Sequence, residues 1–167
     1  TRAKIFGAGK PIKAGEFVIP AGASNSDILS ILQGGKTLTR LITIPEGMPS
    51  ILVHERLMAN DQLTGDIPVP EEGSVLPDSY AFDKGEPRAA VLRRMQAAMD
   101  EALAKLWAER APNTVAKTPK EAIILASIVE KETAVASERP TVAGVYSNRL
   151  RTNMMLQADP TIIYPIT

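Results

Sequence analysis

The stretch Thr118-Pro-Lys-Glu-Ala-Ile-Ile-Leu-Ala-Ser-Ile-Val-Glu-Lys-Glu-Thr133 decides how the rest of the chain is read. A threonine followed by proline, with Glu121 three residues after the threonine, supplies an N-cap, a proline at the first helical position and a capping box. A helix is predicted from here. Along it Leu125, Ile128 and Val129 stand at i, i+3 and i+4, and Glu132 occupies i+7, so an apolar stripe ends in a carboxylate. Glu130 shares a different face with Ile123, Ala126 and Ser127. A carboxyl set against an apolar wall is harder to ionise and can hold a proton near neutral pH, as a general acid must. Position 132 also falls at the helix end, where such a stripe surfaces, and a merely solvated glutamate fits the same pattern.

On either side of this helix the punctuation is clear. Pro87 starts a long helix running to about Arg110, with Leu92, Met95, Met99, Ala102, Leu103 and Leu106 spaced three and four apart. Its methionines read as gap-filling core. Pro112 and Asn113 end it, and the two helices are expected to pack together. Downstream, Ser137, Glu138 and Pro140 open a third helix containing Val142, Val145, Tyr146 and Leu150. Arg149 and Arg151 near its end suit the helix dipole, or could contact an anionic group of a ligand. Asn148 has low helix propensity, which points to a residue kept for its hydrogen bonds. Gln157 and Asp159 fall in a loop before a strand predicted from Thr161 to Tyr164. Asp159 before Pro160 also fits a plain turn former.

The amino-terminal part reads as short alternating elements. Lys4-Ile5-Phe6 and Glu16-Phe17-Val18-Ile19 are β-prone runs, predicted as two strands around a turn. Ser24 to Asp27 cap a short helix carrying Ile28, Leu29, Ile31 and Leu32, which stops at Gly34-Gly35. Residues 37 to 44 read as a strand. Pro45-Glu-Gly47 then turns the chain into a helix from about Ser50 to Met58, with Ile51, Leu52, Glu55 and Met58 at helical spacing. His54, alone of its kind in the chain, reads as a surface or packing residue. Residues 61 to 79 look like a linker rich in proline, glycine and acid. Tyr80 and Phe82 follow it, either as exposed aromatic platforms or as core plugs.

Composition narrows the function classes. The chain has 167 residues, enough for one domain or two small ones, and nineteen side chains of each charge. A nucleic-acid partner would normally demand a basic excess. With no cysteine and one histidine, neither a disulfide framework nor a thiolate or histidine-rich metal site is expected. No run approaches the roughly 18 apolar residues of a membrane helix.

Ala126-Ser-Ile-Val-Glu-Lys-Glu-Thr133, Ser137-Glu-Arg-Pro140, Val142-Ala-Gly-Val-Tyr-Ser-Asn-Arg-Leu150 and Leu156-Gln-Ala-Asp-Pro-Thr-Ile-Ile-Tyr164 together resemble the MltG/YceG-like endolytic murein transglycosylase family. Lys13-Ala-Gly-Glu-Phe17, Ile44-Pro-Glu-Gly47 and Leu76-Pro-Asp-Ser-Tyr80 extend the likeness over nearly the whole chain. The resemblance implies an α+β fold: a small LysM-like subdomain over residues 1–65, followed by a mainly helical catalytic subdomain over 66–167, incomplete at its carboxyl end. It implies cleavage of the MurNAc-GlcNAc bond inside peptidoglycan strands, leaving 1,6-anhydro ends and using one glutamate and no cofactor. That glutamate is placed at Glu132, with Glu130 in reserve. Asn148, Gln157, Asp159, Thr161 and Tyr80 are carried over as substrate-binding residues. Members are anchored by a single span in the inner membrane, with the catalytic part periplasmic, and can meet cell-wall synthesis proteins there. The anchor is expected to be missing from this chain, as if trimmed.

Three rival readings remain at this point. A glycan-binding module would bind murein without cutting it. A hydrolase could pair Glu132 with Asp159 across the scissile bond. The family has also carried the label aminodeoxychorismate lyase, a pyridoxal-phosphate activity, but no lysine stands in a recognisable cofactor setting and no glycine-rich phosphate cradle is present.

Overall fold

The computed structural model describes residues 11–13, 15–35 and 38–163. The fold is mixed α+β, as expected. In chain order come α1 (Asn25–Gly34), β1 (Arg40–Thr43), α2 (Ser50–Met58), β2 (Ser79–Phe82), α3 (Arg88–Ala108), α4 (Pro119–Glu132), a 3-10 turn (Ala136–Glu138), α5 (Arg139–Arg151) and α6 (Pro160–Ile163).

The local start signals act as their chemistry dictates. Ser24 caps α1 in a reciprocal box with Asp27. Thr118 caps α4, its Oγ1 accepting from the Glu121 amide at 3.2 Å. The expected capping box at this end is altered: Glu121 Oε2 accepts from the Lys117 amide at 2.7 Å, one residue before the cap. Lys4-Ile5-Phe6 and Tyr164 lie outside the described residues. Glu16 to Ile19 form no strand.

β1 and β2 pair antiparallel, with Ile42 opposite Tyr80 and Thr43 opposite Ser79. The hydroxyls of Thr43 and Ser79 share a 2.7 Å hydrogen bond. Thus Tyr80 and Phe82 belong to a strand. Phe82 is buried and Tyr80 packs against the same core, so both read as core plugs. Alternation along β1 turns Ile42 inward and leaves Leu41 exposed.

Under this ribbon lies the first core, joining β1, α2, β2 and the start of α3 through Ile42, Val53, Leu57, Phe82, Val91 and Met95. In α2 the buried face is Ser50, Val53 and Leu57. Ile51 and Leu52, which stand at helical spacing, face outward, and the Ser50 amide and hydroxyl donate to Glu72 Oε1 and the Glu71 carbonyl. Residues 61 to 79 are no bare linker: Leu63, Ile67 and Val75 enter this core. The 65/66 boundary therefore falls inside one hydrophobic cluster. Arg88, only 9% exposed, fastens the loop by donating to the carbonyls of Leu57, Met58, Asn60 and Gly65 at 2.7–3.1 Å. His54 Nε2 bonds the Ile67 carbonyl at 3.0 Å, a packing role.

A second, smaller core joins α4, α5 and the loop before α6: Ile128, Val129, Tyr146 and Ala158. α4 packs chiefly on α5 and touches α3 more lightly. In the far half of α3, Met99, Ala102 and Leu103 are half-buried and Leu106 is 65% exposed. The 71–73 loop closes onto α4: a Cβ at Gly73 would lie 2.6 Å from Ile123 Cγ2, and the glycine has φ 74°. The predicted strand from Thr161 is instead the helical turn α6, with Pro160 at its first position and the Thr161 amide bonded to the Ala158 carbonyl.

Candidate active site

α4 delivers its stripe as the spacing required, with Ile128 and Val129 buried and Leu125 packed beside them. Glu132, the last residue of the helix, then emerges into an open cleft of about 240 Å³. Val142, Val145, Tyr146 and Arg149 from α5 line it, together with Leu156 and Gln157 from the loop that follows. The apolar wall expected around Glu132 is therefore one-sided. Val142, Val145 and Leu156 stand on the cleft wall, while Glu132 itself is an exposed residue. Full burial fails because the helix ends there and nothing among the described residues lies over it.

Tyr146 is 5% exposed. Burial pushes its hydroxyl above the ordinary tyrosine range; a hydrogen bond to Glu132 and that carboxylate's charge push the same way, with Asp159 adding and Arg149 opposing. The hydroxyl proton is thus kept on Tyr146, where it can be donated to the glutamate. Arg149 Nη1 donates to the Leu156 carbonyl at 2.6 Å, and to the Met155 carbonyl and Gln157 Oε1 at 3.3 Å each. The loop so held contains two residues in the left-handed region, Asn153 at φ 54° and Gln157 at φ 52°. Asparagine tolerates that conformation; a glutamine there is strained.

Of the residues singled out from sequence, Glu132 and Gln157 come together in the cleft. Glu130 lies elsewhere, in a 2.8 Å ion pair with Arg139 at the start of α5 and against the Gly47 turn. Asn148 is exposed, and its Oδ1 accepts from Arg151 at 2.9 Å, while Arg151 also reaches the Asn113 carbonyl at 2.9 Å. That pair ties α5 to the turn after α3. Asp159 is exposed, and its charge reaches Tyr146. The Thr161 hydroxyl donates to the Ala158 carbonyl at 2.6 Å, and the Tyr80 hydroxyl to the Leu76 carbonyl at 2.6 Å in the first core. Tyr146 was missed as a partner of Glu132. A signal existed: Val142, Tyr146 and Arg149 stand at i, i+4 and i+7 and share one helix face.

A model of the YceG-like family matches residues 1–167. The chain belongs to the YceG-like family. An endolytic murein transglycosylase of Streptococcus pneumoniae (serotype 2, strain D39) is 27% identical over 196 residues, covering 92% of this chain and 35% of that protein. A Bacillus subtilis (strain 168) protein of the same name is 29% identical over 108 residues, covering 64% of this chain and 29% of its own length. The chain thus spans about a third of the curated relatives it matches. A crystal structure of a YceG-like protein from Listeria monocytogenes aligns over 99% of this chain and 64% of that one, with a TM-score of 0.61 and 24% identity. That likeness speaks to the fold alone.

Proposed function

We propose that this YceG-like chain forms the catalytic cleft of an endolytic lytic transglycosylase acting on peptidoglycan, with Glu132 as acid and then base. The observation that carries the reading is the shared cleft of Glu132, Tyr146 and Gln157. The names of the relatives from Streptococcus and Bacillus support the substrate class. In the first step the protonated glutamate gives its proton to the glycosidic oxygen of a MurNAc-GlcNAc bond, and the acetamido oxygen of the same MurNAc attacks the anomeric carbon as the leaving sugar departs. In the second, the glutamate, now a carboxylate, takes the proton of the 6-hydroxyl. That oxygen displaces the acetamido oxygen and closes a 1,6-anhydro ring, with no water consumed. A single carboxylate suffices because the substrate supplies the second group. Because Glu132 stands exposed on the cleft wall, a glycan strand must itself complete the enclosure that excludes water from the carboxyl. The reaction belongs on the periplasmic side of an inner membrane, where the strands and the cell-wall synthesis proteins are.

The test is mass spectrometry of purified peptidoglycan digested in isotopically labelled water, wild type beside Glu132→Gln. Anhydro ends from the wild type alone are the expected result. Reducing ends carrying the label would make the chain a hydrolase, and binding without new ends would make it a glycan-binding module. Cleavage retained by Glu132→Gln would remove that residue from the chemistry.

A further inference from the structure

The rear of α4 rests on two glycine turns of the first core. A Cβ at Gly73 would lie 2.6 Å from Ile123 Cγ2, and one at Gly47 would lie 3.4 Å from Glu130 Cγ and 3.5 Å from Lys131 Cε. Both glycines have positive φ, 74° and 66°. Ile123 and Glu130 stand at i and i+7, so the two turns touch one face of the helix, while Glu132 projects about 200° further round from Glu130. Each turn is anchored beside the core, Gly47 just after the buried Ile44 and Gly73 just before the buried Val75. They are also tied to each other. The buried Ser50 donates from its amide to Glu72 Oε1 at 2.8 Å and from its hydroxyl to the Glu71 carbonyl at 3.2 Å, and the Ser74 amide closes the second turn on that same carbonyl at 3.1 Å. This seat lies outside the cleft, which is lined by Glu132 and by residues of α5 and the loop after it. The close approach at Gly73 is to a branch methyl on a residue stiff at χ1, which cannot swing aside as the end of a long side chain would.

We infer that the Gly47 and Gly73 turns are a positioning device for Glu132: pressed against the rear face of α4, they set how far the end of that helix stands out into the cleft. This rests on the reading of Glu132 as acid and base, and deepens it by placing control of that carboxyl in the first core. A helix is a rigid element, so a displacement at Ile123 is carried to its last turn. Ordinary contact between carbons begins at about 3.5 Å, so a methyl at position 73 would force roughly 1 Å of separation. A misplacement of about that size can cost on the order of 10²-fold in rate.

The experiment compares Gly73→Ala with Gly65→Ala. Both glycines have φ 74°, but a Cβ at Gly65 meets nothing within 4 Å, so Gly65→Ala carries the backbone strain without the push. Backbone amide NMR shifts of Glu132 and Thr133 report the helix end, and cleavage of soluble glycan strands is measured on the same samples. Gly73→Ala should move both amide signals and lower kcat roughly 10²-fold with KM little changed. Gly65→Ala should lower only the thermal midpoint. Adding Ile123→Ala to Gly73→Ala leaves the Cβ of residue 123 at 4.0 Å, and should return the signals and most of the rate; adding Ile123→Val, which keeps a branch methyl, should not. Signals unmoved by Gly73→Ala, moved equally by Gly65→Ala, or not returned by Ile123→Ala would each overturn the inference. Should Gly73→Ala fail to fold, Ser50→Ala cuts one tie between the turns without adding an atom; it should move the same two signals, and signals left in place would overturn the seat. A wild-type chain that cuts no strands defeats the catalytic reading alone, because the amide signals still decide the seat.

Discussion

The two cores of this chain differ in kind. The first is deep: Leu57, Val91 and Met95 are fully enclosed, and a buried arginine satisfies the carbonyls at the end of α2 and in the loop behind it. The second is small, with Ile128, Val129, Tyr146 and Ala158 buried together and Tyr146 also lining the cleft. One region supplies stability, and the other holds polar side chains where a ligand can reach them. The difference shows why the cleft needs so many fastenings. With little apolar burial available, Arg149, Arg151, the Glu130–Arg139 pair and the cap of α4 do the holding that side-chain packing does elsewhere.

That contrast can be broken or sharpened by substitution. The largest effect should come from the second region and leave the first untouched: Glu132→Gln should lower strand cleavage by about 10²–10⁴-fold with an unchanged thermal midpoint. If the midpoint fell as well, Glu132 would be part of the support and the division of labour would be wrong. Next, Leu57→Ala should destabilise the chain by about 2–5 kcal/mol, read from denaturant unfolding, because a fully buried leucine leaves a cavity. The corresponding Val129→Ala, in the smaller core, should stay toward the low end of a large-to-small change, about 1–2 kcal/mol. Equal losses at the two positions would contradict the contrast. Thr118→Ala should weaken α4 by about 1 kcal/mol through loss of its cap, and hydrogen exchange should show the opening confined to the start of that helix.

The smallest effect is a matter of pH. The fold holds the Tyr146 proton more tightly than the unfolded chain does, so the associated stability is fully present below pH about 10 and is lost as pH rises through the raised folded value. Tyr146→Phe should remove part of the alkaline loss in a pH series of thermal midpoints. The remainder should stay, since Tyr80 is raised too, by burial and then by the charge of Asp78. A variant with the same alkaline slope as the wild type would show that Tyr146 is not held in the way its contacts indicate.

Much of the helical framework was legible in the residues. α1 and α2 stand where their caps and turns put them, and α3 starts at its proline as expected. Less legible was which side of an element would be covered. Helical spacing alone picked out Ile51 and Leu52 in α2, but Val53 and Leu57 are the residues that meet the core, beside a Ser50 bonded to a loop some twenty residues away. In the site, the stripe led to Glu132, and resemblance led to Gln157. The Tyr146 bond, the Arg149 clamp and the left-handed backbone at Gln157 were not anticipated.

The chain by itself determined the start of α4 at Thr118-Pro119, the direction of its apolar face and the emergence of Glu132 at its end. Each of these depends on residues within a turn or two of one another, where caps, proline and the 3.6-residue period act without outside help. Only the tertiary structure decided that residues 40–43 pair with 79–82, that the stretch between them packs as core, and that Glu130 is spent on Arg139 while Glu132 meets Tyr146. Those outcomes require distant segments to meet. Their free energy depends on which surfaces close against each other, and no local spacing records that.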